Sequence, residues 1–369
     1  MYRGEWAKKF VQAVRKQGGK MTLKDLKDYK VIWSEPAHTT YREYDIYSVG
    51  LPGFAGASMV GAFNLLYLAD LRKYPHYTRY AKALYQFIQI ARVAELFFYP
   101  GLEYRNLHEI FSKYFGINDF SHQSLMSKPT AQLIWEKMQE PSWNDFKKEV
   151  YLALKESSPF DEAILKDIEK TREKKVAAQE KSGHSDAVVA VDEEGNIAAV
   201  VHSINSSYFG FGLMVDGVSI SDTASSYQEF LAKVDPGARV PDSTNQVIVL
   251  KKGKPFLGTS GIGSIHIATL QCVINVLDFD MDPQKAVEMP CFFSPALHPS
   301  EYNKQTVGEG VFAEEILEAV RAMGQEIKVL PAEKQWLQLG CWIGIKIDPG
   351  TGNLKGGVPL MLNGVAAGY

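Results

Sequence analysis

The sequence predicts an α+β protein in which strands group together and helices pack outside them. In the first half of the 369 residues, apolar side chains recur at helical spacing, as at Leu84, Phe87, Ile88 and Ala91. The second half contains patterns typical of strands and patterns typical of helices. It predicts strands near Val188 and Ala198 and at 247–250 and 342–347, with helices at 265–278, 284–288 and 313–323. Strands collected in this way favour a layered sandwich.

The N-terminal half begins with a charged amphipathic helix over 1–14, which is unlike a signal peptide. Thr22 followed by Asp25 has the spacing of a capping box and predicts the start of a second helix. The other expectations for this half are a strand at 44–49, a helix at 78–98 and an irregular, aromatic-rich region at 101–143.

A long uncharged run at 46–69 allows two interpretations, a membrane span or a buried helix. Glycines and a proline interrupt the run, including Gly50, Pro52, Gly53 and Gly56. We therefore expect a glycine-rich turn that leads into a buried helix at about 57–71, and no membrane segment.

Composition narrows the class of protein. A chain that is 46% hydrophobic and 22% charged can bury a sizeable core in one large or two modest domains. The net charge of −3 and the dispersed basic residues predict neither a nucleic acid nor a membrane partner, and favour small-molecule or peptide chemistry. As the chain stands, a cytoplasmic location is expected.

Cysteines and histidines give no sign of a metal site. Cys272, Cys291 and Cys341 are widely spaced and form no CxxC pair, so we expect buried thiols rather than a disulfide framework. His266 and His298 have no second histidine within a helical turn. We predict no metal and no cofactor.

The most informative stretch is the junction between a charged linker at 167–184 and an apolar hairpin at 187–201. The linker should be solvated and open to cleavage. Two continuous apolar runs flank turn residues at 194–196, as expected for strands covered on both faces. Ser185 therefore opens a core strand at the end of a cleavable segment.

A serine in this position can act as a nucleophile released by cutting the chain. Its hydroxyl can attack the carbonyl of His184, and hydrolysis of the resulting ester leaves Ser185 as a new N-terminal residue. The free α-amine, with an unperturbed pKa of about 7.7 to 8.0, can then serve as the base. The alternative is that Ser185 is only a polar residue at the start of a strand. Asp186 is a further candidate, for orienting the amine.

The residues that follow carry a resemblance. The pattern Asp192-x-x-Gly195-Asn196 and then Ser203-x-Asn205 resembles the start of the small subunit in the gamma-glutamyltranspeptidase family of N-terminal nucleophile hydrolases. Seven positions before Asp192 stands Ser185, where that family usually has threonine and is cleaved. The resemblance divides the chain into a region like part of the large subunit, 1–184, and a small-subunit-like catalytic region, 185–369.

The resemblance also covers the flanking regions. Upstream it includes Tyr2-Arg3-Gly4, the run 17–29 and Tyr41-Arg42, and at the C-terminus Ala366-Ala367-Gly368-Tyr369. The run Thr259-Ser260-Gly261-Ile262-Gly263-Ser264 looks like the family's glycine-rich oxyanion loop. What the family implies for the fold is a four-layer αββα sandwich, here incomplete on its N-terminal side.

The resemblance also implies roles for individual residues. Ser203 matches the threonine that hydrogen-bonds the nucleophile, and Asn205 matches the asparagine that helps to hold the donor substrate. Ile262 and Gly263 match the backbone donors of the oxyanion hole, although Ile262 stands where the family has glycine. Backbone N–H groups survive that change.

The remaining substrate positions depart from the family. Thr223 and Ser226 stand where the family typically has a glutamine and an acidic residue that hold the α-amino group of a glutamyl donor. Asp242 and Ser243 stand where a serine pair binds the donor carboxylate, and an anion at Asp242 would repel that group. Glutathione is the family's expected donor, and these changes favour a different acyl group or no turnover.

Two functions from different classes follow. The first is an amide hydrolase or acyltransferase, processed between His184 and Ser185, whose two halves stay associated around a gamma-glutamyl or other amide substrate. The second is an inactive or incomplete relative that acts as a binding or assembly subunit. The resemblance starts about midway through the family's large subunit and omits the segment with the carboxylate-binding arginine. The chain is therefore expected to be a fragment, a decayed relative, or one completed by a separate chain.

Overall fold

The computed structural model describes residues 2–51, 53, 55–97, 107–156, 185–203, 213–220, 235, 237–239, 244–262, 265–293, 304–331, 341–359 and 364–368. These residues fall into two compact units. The smaller is drawn from Met1–Glu35, Gly183–Asp186 and His202–Val240, and the larger from Pro36–Ser182, Ala187–Val201 and Pro241–Tyr369. The predicted linker at 167–184 lies outside the described residues.

The smaller unit contains helices α1 (Glu5–Lys16) and α2 (Leu23–Asp28) and the short strands β5 (Met214–Val215) and β6 (Val218–Ser219). The predicted helix start is confirmed, because Thr22 and Asp25 form a complete capping box at the start of α2. The indole N–H of Trp6 donates a 3.1 Å hydrogen bond to the carbonyl of Val215, which ties α1 to β5.

Helices dominate the first part of the larger unit, as predicted. They are α3 (Ala55–Ala69), α4 (Ala81–Phe97), α5 (Leu107–Phe115), α6 (His122–Leu125), α7 (Lys128–Met138) and α8 (Trp143–Glu156). α3 confirms the buried helix expected from the uncharged run, since residues on every side of it are buried. No described helix combines the length and the apolar character that a membrane crossing requires.

The prediction that 101–143 is irregular was wrong for the described residues, which begin at Leu107 and form α5, α6 and α7. Aromatic side chains of α5 pack against those of α8 and form part of the main hydrophobic core. Phe146 packs against Phe111, Phe115 and Trp143, with ring centroids between 4.8 and 5.6 Å from its own. A local signal did exist, because the Ser127 hydroxyl caps α7 by accepting a hydrogen bond from the Thr130 amide.

The centre of the larger unit is a six-stranded sheet with the order β1-β2-β7-β8-β12-β13. Its strands are β1 (Ala37–Tyr41), β2 (Tyr44–Ser48), β7 (Val247–Lys251), β8 (Lys254–Ile262), β12 (Cys341–Ile347) and β13 (Leu354–Gly357). Every neighbouring pair is antiparallel. The predicted strands at 44–49, 247–250 and 342–347 are confirmed.

The two faces of this sheet are covered differently. Helix α3 packs on β1 and β2, while α9 (Ile265–Asp278) packs on β8 and β12. Buried side chains of these helices form one core with Leu257 of β8. Because side chains alternate along a strand, Gly258 faces the opposite side, where Val189 and Ile197 lie against it. Those two residues belong to the hairpin of β3 (Ser185–Val191) and β4 (Ile197–Ser203).

The predicted α+β class is therefore confirmed, with a helical layer, a sheet and a hairpin stacked in that order. The larger unit also holds a second, three-stranded sheet, ordered β11-β10-β9. Its remaining elements are α10 (Pro283–Glu288), α11 (Glu314–Ala322), β9 (Phe292–Phe293), β10 (Lys304–Gly308) and β11 (Glu326–Leu330).

Candidate functional site

The candidate nucleophile opens the β3–β4 hairpin, and the turn of that hairpin fixes its register. The Asp192 amide donates to the carbonyl of Asn196, and the Asp192 carboxylate accepts from the backbone and side-chain N–H groups of Asn196 at 2.7 and 2.8 Å. These bonds to Asn196 lower the pKa of Asp192 below its ordinary value. Gly195 supplies the positive φ of +81° that the turn needs.

Counting outward from this turn places Asp186 opposite His202 and Ser185 opposite Ser203. A contact of 3.4 Å between Asp186 Oδ2 and His202 Nδ1 agrees with that register. Residues directly opposite each other in an antiparallel pair have Cα atoms about 4.5 to 5.5 Å apart. The hairpin therefore brings together the backbones of Ser185 and Ser203, two positions separated by the whole hairpin in the sequence. The side chains of Asp186 and His202 are both exposed.

Only one face of the hairpin is covered within the described part of the chain. Val188 and Val200, on the outward face, are 57% and 52% exposed. The expectation that these strands are covered on both faces is therefore not met by the residues that the structure describes. The inward face rests on β8, as the contacts at Gly258 show.

A hydrogen bond joins β4 to β8. The hydroxyl of Ser260, which is completely buried, donates to the carbonyl of Val200 at 3.0 Å. A Cβ added at Gly258 would lie 2.4 Å from Cγ2 of Ile197, so only glycine allows the hairpin to approach the strand this closely. Sequence reasoning missed this contact, because it depends on how two distant strands are stacked.

The run expected to be a glycine-rich loop is largely strand. Thr259 to Ile262 form the end of β8, and Ile262 lies opposite Cys341 of β12. Gly263 lies outside the described residues, and α9 begins at Ile265. Burial raises the pKa of the Cys341 thiol to about 11, so this neighbour stays neutral near pH 7.

The other predicted substrate positions, Asn205, Thr223, Ser226, Asp242 and Ser243, lie outside the described residues. Their roles remain predictions. The structure thus brings the backbones of Ser185 and Ser203 together and places Ile262 at the end of β8.

The three cysteines are all free thiols. Cys272 and Cys341 are buried free thiols, as predicted, and Cys291 is half-buried. Among the described residues, no group of three histidine, cysteine or acidic side chains could hold a metal ion.

The fold of the chain is also found in solved structures. The chain superposes along its whole length on 59% of a cephalosporin acylase from Bacillus halodurans, with a TM-score of 0.69 and 19% sequence identity. The chain therefore shares the layered α+β fold of that acylase.

The sequence then identifies the family. Residues 1–368 match the model for gamma-glutamyltranspeptidases, and the chain belongs to that family. It is 28% identical over 392 residues to the glutathione hydrolase proenzyme of Escherichia coli strain K12. Identity to the protein of the same name from Bacillus subtilis strain 168 is 24% over 374 residues. All of the chain is covered in both comparisons, but it spans only 58% of the length of either relative.

Proposed function

We propose that this chain is an amide-bond hydrolase or acyltransferase that cuts itself between His184 and Ser185. The observation that carries the proposal is the hairpin register. Counted outward from the bonds between Asp192 and Asn196, this register pairs Ser185, the first residue of β3, with Ser203, the last residue of β4. Membership in the gamma-glutamyltranspeptidase family supports the same assignment.

Self-cleavage begins when Oγ of Ser185 attacks the carbonyl carbon of His184. The C–N bond of the peptide breaks, an ester C–O bond forms, and the hydroxyl proton passes to the released amine. Water then hydrolyses the ester, which leaves a carboxylate on His184 and a free hydroxyl and α-amine on Ser185. The products are the regions 1–184 and 185–369.

In the catalytic cycle the same oxygen attacks the amide carbonyl of the donor. The α-amine of Ser185 accepts the hydroxyl proton and passes it to the leaving amine, a role suited to its unperturbed pKa of about 7.7 to 8.0. The backbone N–H groups of Ile262 and Gly263 stabilise the oxyanion, and Ser203 hydrogen-bonds the nucleophile. Water completes hydrolysis of the acyl ester, whereas an amine completes transfer.

The donor we propose is an amide whose acyl group differs from a glutamyl group. The relatives are named as glutathione hydrolases, but Thr223, Ser226 and Asp242 depart from the family at the positions assigned to the glutamyl amine and carboxylate. Asp242 would repel a donor carboxylate. Asn205 and Ser243 remain as neutral polar contacts for the donor.

The second candidate function, a binding or assembly subunit, is favoured by the exposed outer face of the hairpin. Val188 and Val200 are more than half exposed on a strand pair whose sequence is apolar on both faces. Apolar surface of this kind is stabilised by burial against further polypeptide. We propose that either a separate chain or sequence upstream of residue 1 supplies that cover.

A time course on denaturing gels tests the enzymatic proposal. The wild-type chain should change from one band of 41.2 kDa to two bands of about half that mass, and N-terminal sequencing of one fragment should begin at Ser185. Ser185→Ala should stay whole, while Ser182→Ala, a matched change in the same linker, should still be cut. Cleavage of Ser185→Ala at the wild-type rate would contradict the assignment.

A second comparison separates an inert chain from an incomplete one. The gel is repeated with any upstream coding sequence restored. Cleavage that appears only in the longer chain supports completion by the upstream segment, and amide exchange at 187–191 and 197–201 should then slow. A chain that remains whole in both forms would favour the assembly subunit.

A further inference from the structure

Ser260 lies in β8, and its side chain connects that strand to β4. It is completely buried in β8, and its hydroxyl donates a 3.0 Å hydrogen bond to the backbone carbonyl of Val200 in β4. Neighbouring Thr259 faces the other side of the strand. Among the described residues of β8, Ser260 is therefore the one whose side chain hydrogen-bonds the hairpin.

Each residue of this hydrogen bond lies shortly before a residue to which the proposed function gives a catalytic role. Val200 is three residues before Ser203, and Ser260 is two residues before Ile262. At about 3.3 Å per residue, these separations are about 10 Å and about 7 Å along the strands. The bond thus joins β4 to β8 three residues before the end of β4 and two residues before the end of β8.

Apolar packing alone does not set the alignment of these strands. Val189 and Ile197 lie on the bare backbone of Gly258, and contacts of this kind are non-directional. A hydrogen bond has a defined length and angle, so sliding β4 along β8 by one residue would break it. The Ser260 hydroxyl supplies the directional part of the contact.

We propose that Ser260 is a positioning residue for the reaction of Ser185. It acts through the backbone of β4, by holding that strand in one alignment with β8. The inference rests on the proposed function, because it assigns Ser260 to the same self-cleavage. Its chemistry needs no group beyond the hydroxyl and the carbonyl that already contact each other.

The test is the rate of self-cleavage in cell-free synthesised chain, followed on denaturing gels. Ser260→Ala should slow cleavage by roughly ten- to a hundredfold, the scale on which misplacement of reacting groups acts. Ser260→Cys replaces the hydroxyl by a larger thiol that is a weaker donor, and its rate should lie between those of the alanine variant and wild type.

Ser58→Ala is the matched control. The Ser58 hydroxyl is also buried and also donates to a backbone carbonyl, that of Ala94, at 2.6 Å, but it joins α3 to α4. Both alanine variants should lower the unfolding midpoint by similar amounts, and only Ser260→Ala should slow cleavage. Equal slowing by Ser58→Ala, or wild-type cleavage by Ser260→Ala, would overturn the proposal.

Amide hydrogen exchange distinguishes failure of this inference from failure of the proposed function. A wild-type chain that never cuts itself contradicts the proposed function, and the strand alignment is then judged by exchange alone. Ser260→Ala should speed exchange in 197–201 relative to Ser58→Ala. Unchanged exchange in that segment would show that the hydroxyl does not align the strands.

Discussion

Arg42 donates a 3.0 Å hydrogen bond from Nε to Oδ1 of Asp278, a carboxylate that is fully buried. The other oxygen of Asp278 accepts a 2.7 Å bond from the Tyr41 hydroxyl, and Arg42 also reaches Asp70 at 2.7 Å. Arg42 has a positive φ of 58° in the turn between β1 and β2. The cluster ties that turn to the ends of α3 and α9, the helices that cover the sheet.

Replacing Arg42 by methionine should destabilise the protein by about 3–5 kcal/mol, because the charge on Asp278 would stay buried without its partner. The free energy of unfolding in urea measures the loss. Lys113→Met is the control, since Lys113 is 61% exposed in its pair with Glu149. Exposed pairs contribute at most about 1 kcal/mol. Equal losses of unfolding free energy in the two variants would show that groups other than Arg42 stabilise the charge of Asp278.

Gly258→Ala tests how closely the hairpin lies on the sheet. The new Cβ would be 2.4 Å from Ile197 Cγ2 and 3.0 Å from Val189 Cγ1, so the hairpin must shift. We expect a loss of about 1–3 kcal/mol in the free energy of unfolding. Gly368→Ala, which meets no atom within 4 Å, should change it by less than about 0.5 kcal/mol.

A double variant tests the cause of that loss. Ile197→Ala removes the methyl group that the new Cβ would meet, so Gly258→Ala should cost less in that background. An unchanged cost in the double variant would place the strain elsewhere in the strand.

The sequence was informative where a pattern is local. The helix at 265–278 matches α9 residue for residue, because a mainly apolar run of that length, with its one acidic residue at the end, has few alternatives. The hairpin was predictable from two apolar runs around Glu194-Gly195-Asn196. β8 was not predicted, since Gly258-Thr259-Ser260-Gly261 has the composition of a loop. Small residues stand there because another strand lies directly on the backbone.

The same distinction applies to the candidate site. The register that pairs Ser185 with Ser203 follows from the turn and is therefore encoded locally. The bond between Ser260 and Val200 joins positions far apart in the chain, and no periodicity indicates it. It becomes visible only when the hairpin is packed on the sheet.

Two buried glutamines should respond to leucine with opposite signs. Both amide atoms of Gln305 are buried without a hydrogen-bond partner in the part of the chain that is described, and Ile327 is its cross-strand neighbour. Gln89, in contrast, donates to Gln325 at 2.8 Å and accepts from the Trp143 indole at 3.0 Å.

Gln305→Leu should therefore stabilise the protein, and Gln89→Leu should destabilise it, each by about 1–3 kcal/mol. Urea unfolding at one pH measures both changes. The same sign in both variants would contradict the assignment, because it would mean that packing and not hydrogen bonding decides the outcome at these sites.

Acid should weaken the fold partly through His76. Burial lowers the pKa of His76 below its ordinary 6.5, against the opposing effect of the Asn275 side chain. The Thr78 amide donates to Nδ1 at 3.3 Å, so the ring proton lies on Nε2 and points to Asn275 Oδ1 at 3.0 Å. Protonation of Nδ1 would break the Thr78 bond.

Because the folded pKa lies below the unfolded one, the unfolded chain binds the proton first. The contribution of neutral His76 to the free energy of unfolding is therefore complete above pH 6.5. It is lost as the pH drops through the pKa of His76 in the folded state. His76→Gln should reduce the loss of urea midpoint between about pH 7 and about pH 5. His122→Gln should give a second, separate reduction, since burial lowers the pKa of His122 as well. If the urea midpoint of His76→Gln falls over this pH range as much as that of the wild-type chain, His76 is not a source of the acid sensitivity.

Ser185→Thr tests whether the nucleophile is limited by the freedom of its side chain. Threonine keeps the hydroxyl and adds a methyl group that restricts χ1, and other members of the family usually have threonine at this position. Because the methyl group holds the side chain in one of its three staggered rotamers before the reaction, self-cleavage should be roughly threefold faster. The rate is measured on denaturing gels, with Ser182→Thr in the adjoining linker expected to match wild type. A Ser185→Thr chain that cuts more than about tenfold slower than wild type would show that the site excludes the extra methyl, and that serine is required by its size.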